Sequence, residues 1–237
     1  MNIITFESLP STNDYLMDLS KKNANSWTVI HAIDQTKGKG YAGNEWEVKP
    51  NENLTFSLLI KSDLKYQDLI YLNQWVANCI YTALSRLQSN VKIKWPNDII
   101  LNGKKVCGVL IENYRKDELM NSIIGIGINV NQSDFNQLNR ATSLRLESNL
   151  EYDIMAIMSD LIQVFKTNHH QIENKLWKEI SDFYNSNLFR KDIESTFKID
   201  GELKKGTIKC VNDDGCLIVE IDQEIRTFLH KHIELIF

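Results

Sequence analysis

The chain has 237 residues, of which 43% are apolar and 24% are charged, and its formal net charge is −4 at pH 7. These proportions are those of a globular protein and exclude a fibrous or low-complexity chain, while the net negative charge argues against a general nucleic-acid binder. No apolar stretch approaches the length that a transmembrane helix needs, the N-terminus lacks the pattern of a signal peptide, and the four cysteines form no C-x-x-C pair, so we expect a cytoplasmic protein with reduced cysteines.

Most of the chain predicts helices that alternate with antiparallel hairpins. Ser11 precedes apolar residues at helical spacing and predicts the N-cap of a first helix. Periodic apolar residues predict further helices at residues 67–87, 152–166 and 172–184. Runs of β-branched and apolar residues predict strands at residues 28–34, 54–60, 91–95, 104–112 and 122–130. This order predicts an α+β fold, in which helices cover one face of a mixed or antiparallel sheet.

The last fifty residues or so have a different pattern. Short predicted strands separated by turns lie at residues 193–199, 206–211, 216–221, 226–229 and 233–237. Such a run favours a small β-barrel over an extension of the first sheet. We therefore predict two domains, residues 1–187 and residues 188–237, without a flexible linker.

The segment QTKGKGYAGNEW contains a G-x-G-x-x-G motif at Gly38, Gly40 and Gly43. A dinucleotide-binding loop of this type joins a strand to a helix, whereas here a second predicted strand follows, and a Walker A sequence is absent. What remains is a loop whose backbone can come close to a ligand. Lys37 and Lys39 suit an anionic ligand, but a solvated surface turn explains the loop equally well.

Further along the chain, lysine, glycine and amide side chains coincide with strand ends. Lys94 precedes a proline that interrupts strand pairing, so its side chain either faces a cleft or is a solvated lysine at a strand end. Gly108, Gly125 and Gly127 lie within predicted strands, where glycine costs stability unless a ligand or another backbone comes close. Asn129 follows as a neutral donor and acceptor, suited to a purine edge or a ribose.

Six segments, taken in order, resemble the successive blocks of the biotin protein ligases: PSTND (10–14), QTKGKGYAGNEW (35–46), NLTFSLLI (53–60), KWPNDIILNGKKVCGVLIE (94–112), IGIGINVN (124–131) and ATSL (141–144). The C-terminal portion is similar to the SH3-like domain of that family. The resemblance implies the class II synthetase-like fold of biotin and lipoate ligases with a small SH3-like β-barrel.

The resemblance also implies a reaction in two steps. The carboxylate of biotin attacks the α-phosphate of ATP, which gives biotinyl-5′-AMP and pyrophosphate. A lysine of a biotin carboxyl carrier protein, from acetyl-CoA carboxylase or a similar enzyme, then takes the biotinyl group and releases AMP. ATP and biotin are the expected substrates, and Mg²⁺ is the expected metal, held mainly by phosphates.

The same resemblance assigns roles to individual residues. It assigns Lys94 and Lys39 to catalysis, with Lys94 bridging the biotin carboxylate and the α-phosphate. The residues that it assigns to biotin are Ser11, Thr12, Asn13, Gln35, Gly38, Lys39, Gly40, Trp46, Lys94 and Gly108. The residues that it assigns to ATP or the adenylate are Lys39, Gly43, Asn44, Trp46, Lys94, Asn97 and Asn129. Asp98 and Glu112 are candidate metal ligands.

The glycine loop departs from many members of the family, because Tyr41, Ala42 and Asn44 stand where those members carry arginine. We therefore expect no arginine–carboxylate contact there. One alternative is an acyl-adenylating enzyme similar to lipoate ligase, which the GKG loop and KWPND disfavour, and another is a non-catalytic biotin sensor. Because the first block begins near residue 10, we expect the single-function form, which has no DNA-binding domain and acts on neither DNA nor membranes. A homodimer is left open.

Overall fold

The computed structural model describes residues 2–40, 43, 45–46, 49–135 and 138–237. Its largest element is a seven-stranded mixed sheet. The strands are β1 (Asn2–Leu9), β2 (Thr28–Gln35), β3 (Asn53–Ser62), β4 (Val91–Lys94), β5 (Asp98–Leu101), β6 (Lys104–Lys116) and β7 (Leu119–Asn129). They are ordered β1-β2-β3-β7-β6-β5-β4. β1 pairs with β2 in parallel and the other pairs are antiparallel, so the predicted mixed sheet is confirmed.

Helices pack on both faces of this sheet. They are α1 (Thr12–Lys21), α2 (Leu69–Leu84), α3 (Leu144–Ser148), α4 (Ile154–Glu173) and α5 (Trp177–Ser186). α2, α4 and α5 cover the face to which Phe56 and Leu58 of β3 contribute, so the prediction of helices on one face holds for these three but not for α1. α1 packs on the opposite face, where Leu16 contacts a smaller apolar cluster that includes Leu59. Because both faces are covered, the first eight residues of β3 are all buried, including the polar Thr55 and Ser57. No described helix is long and apolar enough to cross a membrane.

The predicted N-cap of α1 is confirmed. Ser11 has an extended backbone, and its side chain accepts a hydrogen bond from the backbone N–H of Asp14 at 3.4 Å. Leu16 of this helix is fully buried. The cap and this apolar contact hold the first turn of α1 above β3 and β7, which decides where its polar side chains point.

The C-terminal portion forms a separate five-stranded antiparallel sheet. Its strands are β8 (Glu194–Ile199), β9 (Glu202–Val211), β10 (Leu217–Ile221), β11 (Glu224–Phe228) and β12 (Glu234–Ile236). The five predicted strands are confirmed. Their order, β11-β10-β9-β8-β12, leaves β11 and β12 as unpaired edges among the described residues, so the predicted closed barrel is not confirmed.

The junction between the two sheets is tightly bonded. The backbone N–H of Ile93 in β4 donates to Asn187 O, and the N–H of Phe189 donates back to Ile93 O. One apolar core runs from the helices into the C-terminal sheet, where it includes Phe197 and Val219. These contacts agree with the absence of a flexible linker, while the division at residue 188 stays a prediction.

Candidate active site

The candidate site lies on the α1 face of the large sheet, over three glycines in neighbouring strands. Gly108 of β6 pairs with Gly127 of β7, and Gly125 lies two residues earlier in β7. A Cβ on Gly125 would lie 2.2 Å from Asn13 Oδ1, and one on Gly127 would lie 2.3 Å from Cε2 of Trp46. The expectation that a ligand or another backbone fills this space is therefore corrected, because side chains of the chain itself occupy it.

The first turn of α1 is joined to the sheet by a polar network. The backbone N–H and the hydroxyl of Thr12 donate to Gln35 Oε1 at 2.8 and 3.0 Å. Ser57 Oγ lies 2.8 Å from Thr12 Oγ1 and 2.6 Å from Asn13 Oδ1, and Asn13 Nδ2 donates to Glu112 Oε2 at 2.8 Å. The predicted residues Thr12, Asn13 and Gln35 thus come together, and their hydroxyl and amide groups face one cavity. Ser57, which the sequence analysis missed, connects them.

The described ends of the glycine loop lie against each other. Trp46 N donates to Gly38 O at 3.0 Å, and Lys39 and Glu45 form an antiparallel bridge. A Cβ on Gly38 would lie 2.3 Å from Trp46 O, so glycine is required at this crossing. Gly40 also lines the cavity. Gly43 has φ +84° and is exposed, with no heavy atom near its Cβ position.

Lys39 is held at the rim of the cavity. Its Nζ lies 2.6 Å from Asp14 Oδ1, and each side chain is about half exposed, at 49%. The hydrogen bond to Asp14 is the main cause that raises the pKa of Lys39, so this residue is charged at neutral pH. The predicted positions Tyr41, Ala42 and Asn44 lie outside the described residues.

The indole of Trp46 forms part of the wall of the site. Its ring covers Gly127 and Gly108, and Lys105 Nζ lies 5.6 Å from the ring centroid. Trp46 Nε1 is buried and has no hydrogen-bond partner within the described part of the chain. A buried N–H without an acceptor is costly, and at a cavity wall it is a donor available to a ligand.

Two lysines share one carboxylate at the centre of the site. Lys105 Nζ lies 2.7 Å from Asp98 Oδ1, and Lys94 Nζ lies 3.8 Å from Asp98 Oδ2. Two ammonium groups and one carboxylate leave a net positive charge, which suits an anionic ligand. Lys94 therefore faces a cleft and is not a solvated lysine at a strand end, which was the alternative interpretation of the sequence. Lys105 was missed, although the turn at Asn102-Gly103 returns β6 alongside β5 and so brings this lysine next to Asp98.

Two adjoining cavities meet at this lysine pair. The first measures about 360 Å³ and lies beneath the first turn of α1 and the glycine loop. The second measures about 570 Å³ and lies towards the C-terminal sheet. The residues that line both are Glu45, Trp46, Lys94, Asp98 and Lys105. Each volume falls in the range of small-molecule sites.

The two cavities differ in chemistry. The first has hydroxyl and amide groups at one end, from Ser11, Thr12, Asn13 and Gln35. The second is mainly apolar, with Phe135, Leu138, Ala141, Leu235 and Phe237 in its wall and three amides, Asn129, Gln132 and Asn139. The arrangement can hold two different molecules with their reactive ends at the lysine pair.

Two of the predicted nucleotide residues have partners within the protein. Asn97 lines the first cavity, not the second, and its Nδ2 donates to Asn73 Oδ1 at 2.7 Å. Asn129 lines the second cavity, and its Nδ2 donates to Thr142 O at 3.0 Å. Both amide nitrogens therefore hold neighbouring segments in place, which leaves the amide oxygens for a ligand.

The two candidate metal ligands do not form a metal site. Asp98 is engaged by the two lysines, and Glu112 accepts from Asn13 and lines neither cavity. In the described ranges, no group of three or more His, Cys, Asp or Glu side chains could hold a metal ion. The described side chains therefore do not fit a resident metal.

The connection between β11 and β12 contributes two residues that were not predicted from the sequence. His230 and Lys231 line the first cavity, and the His230 ring meets the edge of Trp95 at a centroid distance of 5.3 Å. Burial, assisted by nearby Lys94, lowers the pKa of His230, so its imidazole is neutral at pH 7. The site is therefore assembled from both sheets.

Comparisons with known proteins agree with this architecture. Residues 5–129 match the profile of the Biotin/lipoate A/B protein ligase family. The chain is 28% identical to the bifunctional ligase/repressor BirA of Bacillus subtilis, over 99% of this chain and 74% of that protein. It is 32% identical to the biotin--[acetyl-CoA-carboxylase] ligase of Paracoccus denitrificans, over 51% of each chain.

A solved structure extends the likeness to the whole chain. The biotin protein ligase from Aquifex aeolicus in complex with biotin and ATP superposes with a TM-score of 0.83 at 25% identity, covering 99% of this chain and 98% of that one. The family profile covers more than half of the present sequence. This chain belongs to the Biotin/lipoate A/B protein ligase family.

Proposed function

We propose that this chain is a biotin protein ligase, which activates biotin with ATP and then transfers the biotinyl group to a lysine of a biotin carboxyl carrier domain. The observation that carries the proposal is the meeting of two chemically different cavities at Lys94 and Lys105. The names of the relatives support the substrates, since one is a biotin--[acetyl-CoA-carboxylase] ligase and a structural neighbour binds biotin and ATP.

The first cavity suits biotin. A ureido ring offers one acceptor and two donors, and the groups at the polar end of the cavity can satisfy both kinds. The side chains of Thr12, Asn13 and Gln35 are already fixed by their own hydrogen bonds. A ring bound there would direct the biotin carboxylate towards the lysine pair.

The second cavity suits the nucleotide. Its apolar wall offers contact area for a base, and the amide oxygen of Asn129 can accept a hydrogen bond from it. With the base in that cavity, the α-phosphate would lie near Lys94 and Lys105, beside the biotin carboxylate. Holding both reactants at one point lowers the entropic part of the barrier.

The lysine pair then acts in both steps. As a carboxylate oxygen attacks the α-phosphorus and pyrophosphate leaves, negative charge accumulates on oxygens that the two ammonium groups face. In the transfer step, the neutral amine of the acceptor lysine attacks the biotinyl carbonyl and forms the amide C–N bond. The C–O bond to AMP breaks, the amine gives up a proton to solvent, and the two ammonium groups face the negative charge of the departing AMP. Lys39, Gly40 and Trp46 line the site and would limit hydrolysis of the mixed anhydride.

Several assignments stay predictions. Mg²⁺ would enter with the phosphates of ATP, since Asp98 and Glu112 already have partners. The absence of DNA binding, a homodimer and a cytoplasmic location are expected from the sequence alone. The acceptor is a carrier domain of acetyl-CoA carboxylase or of a similar biotin enzyme.

The test is pyrophosphate release from ATP with biotin, with lipoate or without an acid. Wild type should release pyrophosphate with biotin, and Lys94→Ala should lose most of this activity. The control is Lys92→Ala, because Lys92 lies in the same strand but is exposed and lines neither cavity. Release with lipoate alone would make the chain a lipoate ligase, and biotin binding without release would make it a sensor.

A further inference from the structure

The side chain of Phe237, which follows β12, lies within cation–π distance of two cations at the border of the second cavity. Lys94 Nζ is 5.7 Å from the ring centroid, and Arg140 Cζ is 5.3 Å from it. Phe237 and Arg140 both line the second cavity, and Lys94 lines both cavities. One aromatic ring of the C-terminal sheet therefore touches the central lysine and an arginine from the segment after β7.

The ring is itself held in place. Phe189 meets it at a centroid distance of 5.1 Å and an interplanar angle of 67°, and Phe189 is bonded through its backbone to Ile93 of β4. β4 also carries Lys94, so Phe189 connects the Phe237 ring to the strand that holds this lysine. Edge-to-face aromatic pairs of this kind favour one relative orientation.

We propose that Phe237 is a positioning residue for the ATP half of the reaction. Its ring attracts the Lys94 ammonium and the Arg140 guanidinium and holds both at the mouth of the second cavity before ATP arrives. Lysine and arginine side chains are long and flexible, so charges that are already held in place lose less entropy when they meet phosphate oxygens. This inference rests on the proposed function, which assigns the second cavity to the nucleotide.

If Phe237 positions these two cations, its substitution should alter the kinetic constants for ATP and not those for biotin. Phe237→Leu keeps an apolar side chain but removes the ring quadrupole, so kcat/KM for ATP should fall about tenfold, which lies within the range of cation–π contributions. The KM for biotin should change less than about twofold, because Phe237 does not line the first cavity. Phe237→Tyr retains an aromatic face and should restore wild-type kinetics to within about twofold.

Arg140 supplies an independent check. Arg140→Gln should also lower kcat/KM for ATP. The double variant with Phe237→Leu should be less impaired than the two separate losses combined, because both substitutions remove the same contact between Arg140 and the Phe237 ring. Phe228→Leu is the matched control, because Phe228 belongs to β11 at the opposite edge of the C-terminal sheet and lines neither cavity.

The experiment measures pyrophosphate release and, by calorimetry, ATP affinity on the same variants after thermal unfolding has shown that they fold. A loss in Phe237→Leu that Phe237→Tyr restores and that Phe228→Leu lacks supports the proposal. Equal losses in the Leu and Tyr variants, or a loss confined to biotin, overturn it. If the ATP affinities of the variants follow this pattern but the wild type releases no pyrophosphate, the proposed ligase function is wrong. The role of Phe237 in ATP binding then still stands.

Discussion

Replacing Gly125 by alanine should release the first turn of α1 from the sheet while leaving β7 able to form. Gly125 does not have a positive φ, so alanine fits the strand backbone. The added Cβ, however, would lie 2.2 Å from Asn13 Oδ1 and 2.9 Å from its Cγ. To restore ordinary contact the Asn13 amide has to retreat by about 1 Å.

This retreat acts on two short hydrogen bonds. Asn13 Oδ1 lies 2.6 Å from Ser57 Oγ, and Asn13 Nδ2 lies 2.8 Å from Glu112 Oε2. Losing both, with buried groups left unpaired, costs about 2 to 4 kcal/mol. For a chain of this length that corresponds to a fall in Tm of roughly 5–15 °C. Because Asn13 belongs to the proposed ureido site, biotin affinity should fall about tenfold or more, the equivalent of one lost hydrogen bond.

Thermal unfolding and calorimetric titration with biotin measure both effects. Ser122→Ala is the matched control: Ser122 lies in the same strand, is fully buried, and its Oγ has no hydrogen-bond partner among the described residues. Removing this hydroxyl should leave the Tm and the biotin affinity nearly unchanged. Wild-type stability and wild-type biotin affinity in Gly125→Ala would contradict this prediction, and so would an equal loss in the control.

Three other predictions concern single side chains. Lys105→Ala should lower the rate of pyrophosphate release by about a hundredfold to a thousandfold, as Lys94→Ala should, because each removes a cation facing the transition state; a Lys105 variant with full activity would contradict this. Trp46→Phe removes a buried N–H without an acceptor together with part of the ring that packs over Gly127, so its Tm should fall less than that of Trp46→Leu, which loses the aromatic ring as well, and an equal or larger fall in Trp46→Phe would contradict this. Burial lowers the pKa of His31 below its ordinary 6.5, so the folded state binds fewer protons than the unfolded state and stability falls as the pH drops through this value. The Tm of His31→Gln should therefore fall less than the Tm of wild type when the pH is lowered from about 7.5 to about 5.5. Equal falls in the two proteins would contradict this.

The sequence predicts well the elements with long apolar patterns and poorly those that depend on exposed edges. β3 and α2 are near their predicted positions because their buried residues repeat over ten residues or more. β1 was missed, since it is an edge strand that pairs on one side and is largely exposed. α5 begins at Trp177, five residues after the predicted start, because α4 continues to Glu173 and its end is marked by neither glycine nor proline.

Some residues of the site could likewise be predicted from the sequence, and others could not. The residues of α1 and β2 that form the polar end of the first cavity could be identified from the sequence motifs. The packing of Trp46 over Gly127 could not, because it depends on how a loop crosses the sheet. Lys105 faces the site through a β-bulge between Ile99 and Ile100, which shifts the register of β5 against β6. Phe237 reaches the site from the C-terminal sheet, a contact that no local pattern predicts.

The most direct test of the central claim is the mass of a biotin carboxyl carrier domain after incubation with this chain, biotin and ATP. We predict that the domain gains one biotinyl group on one lysine, that the gain requires both biotin and ATP, and that Lys94→Ala abolishes most of it. An unmodified carrier domain, despite measurable binding of biotin to the chain, would contradict the assignment of this site to biotin transfer.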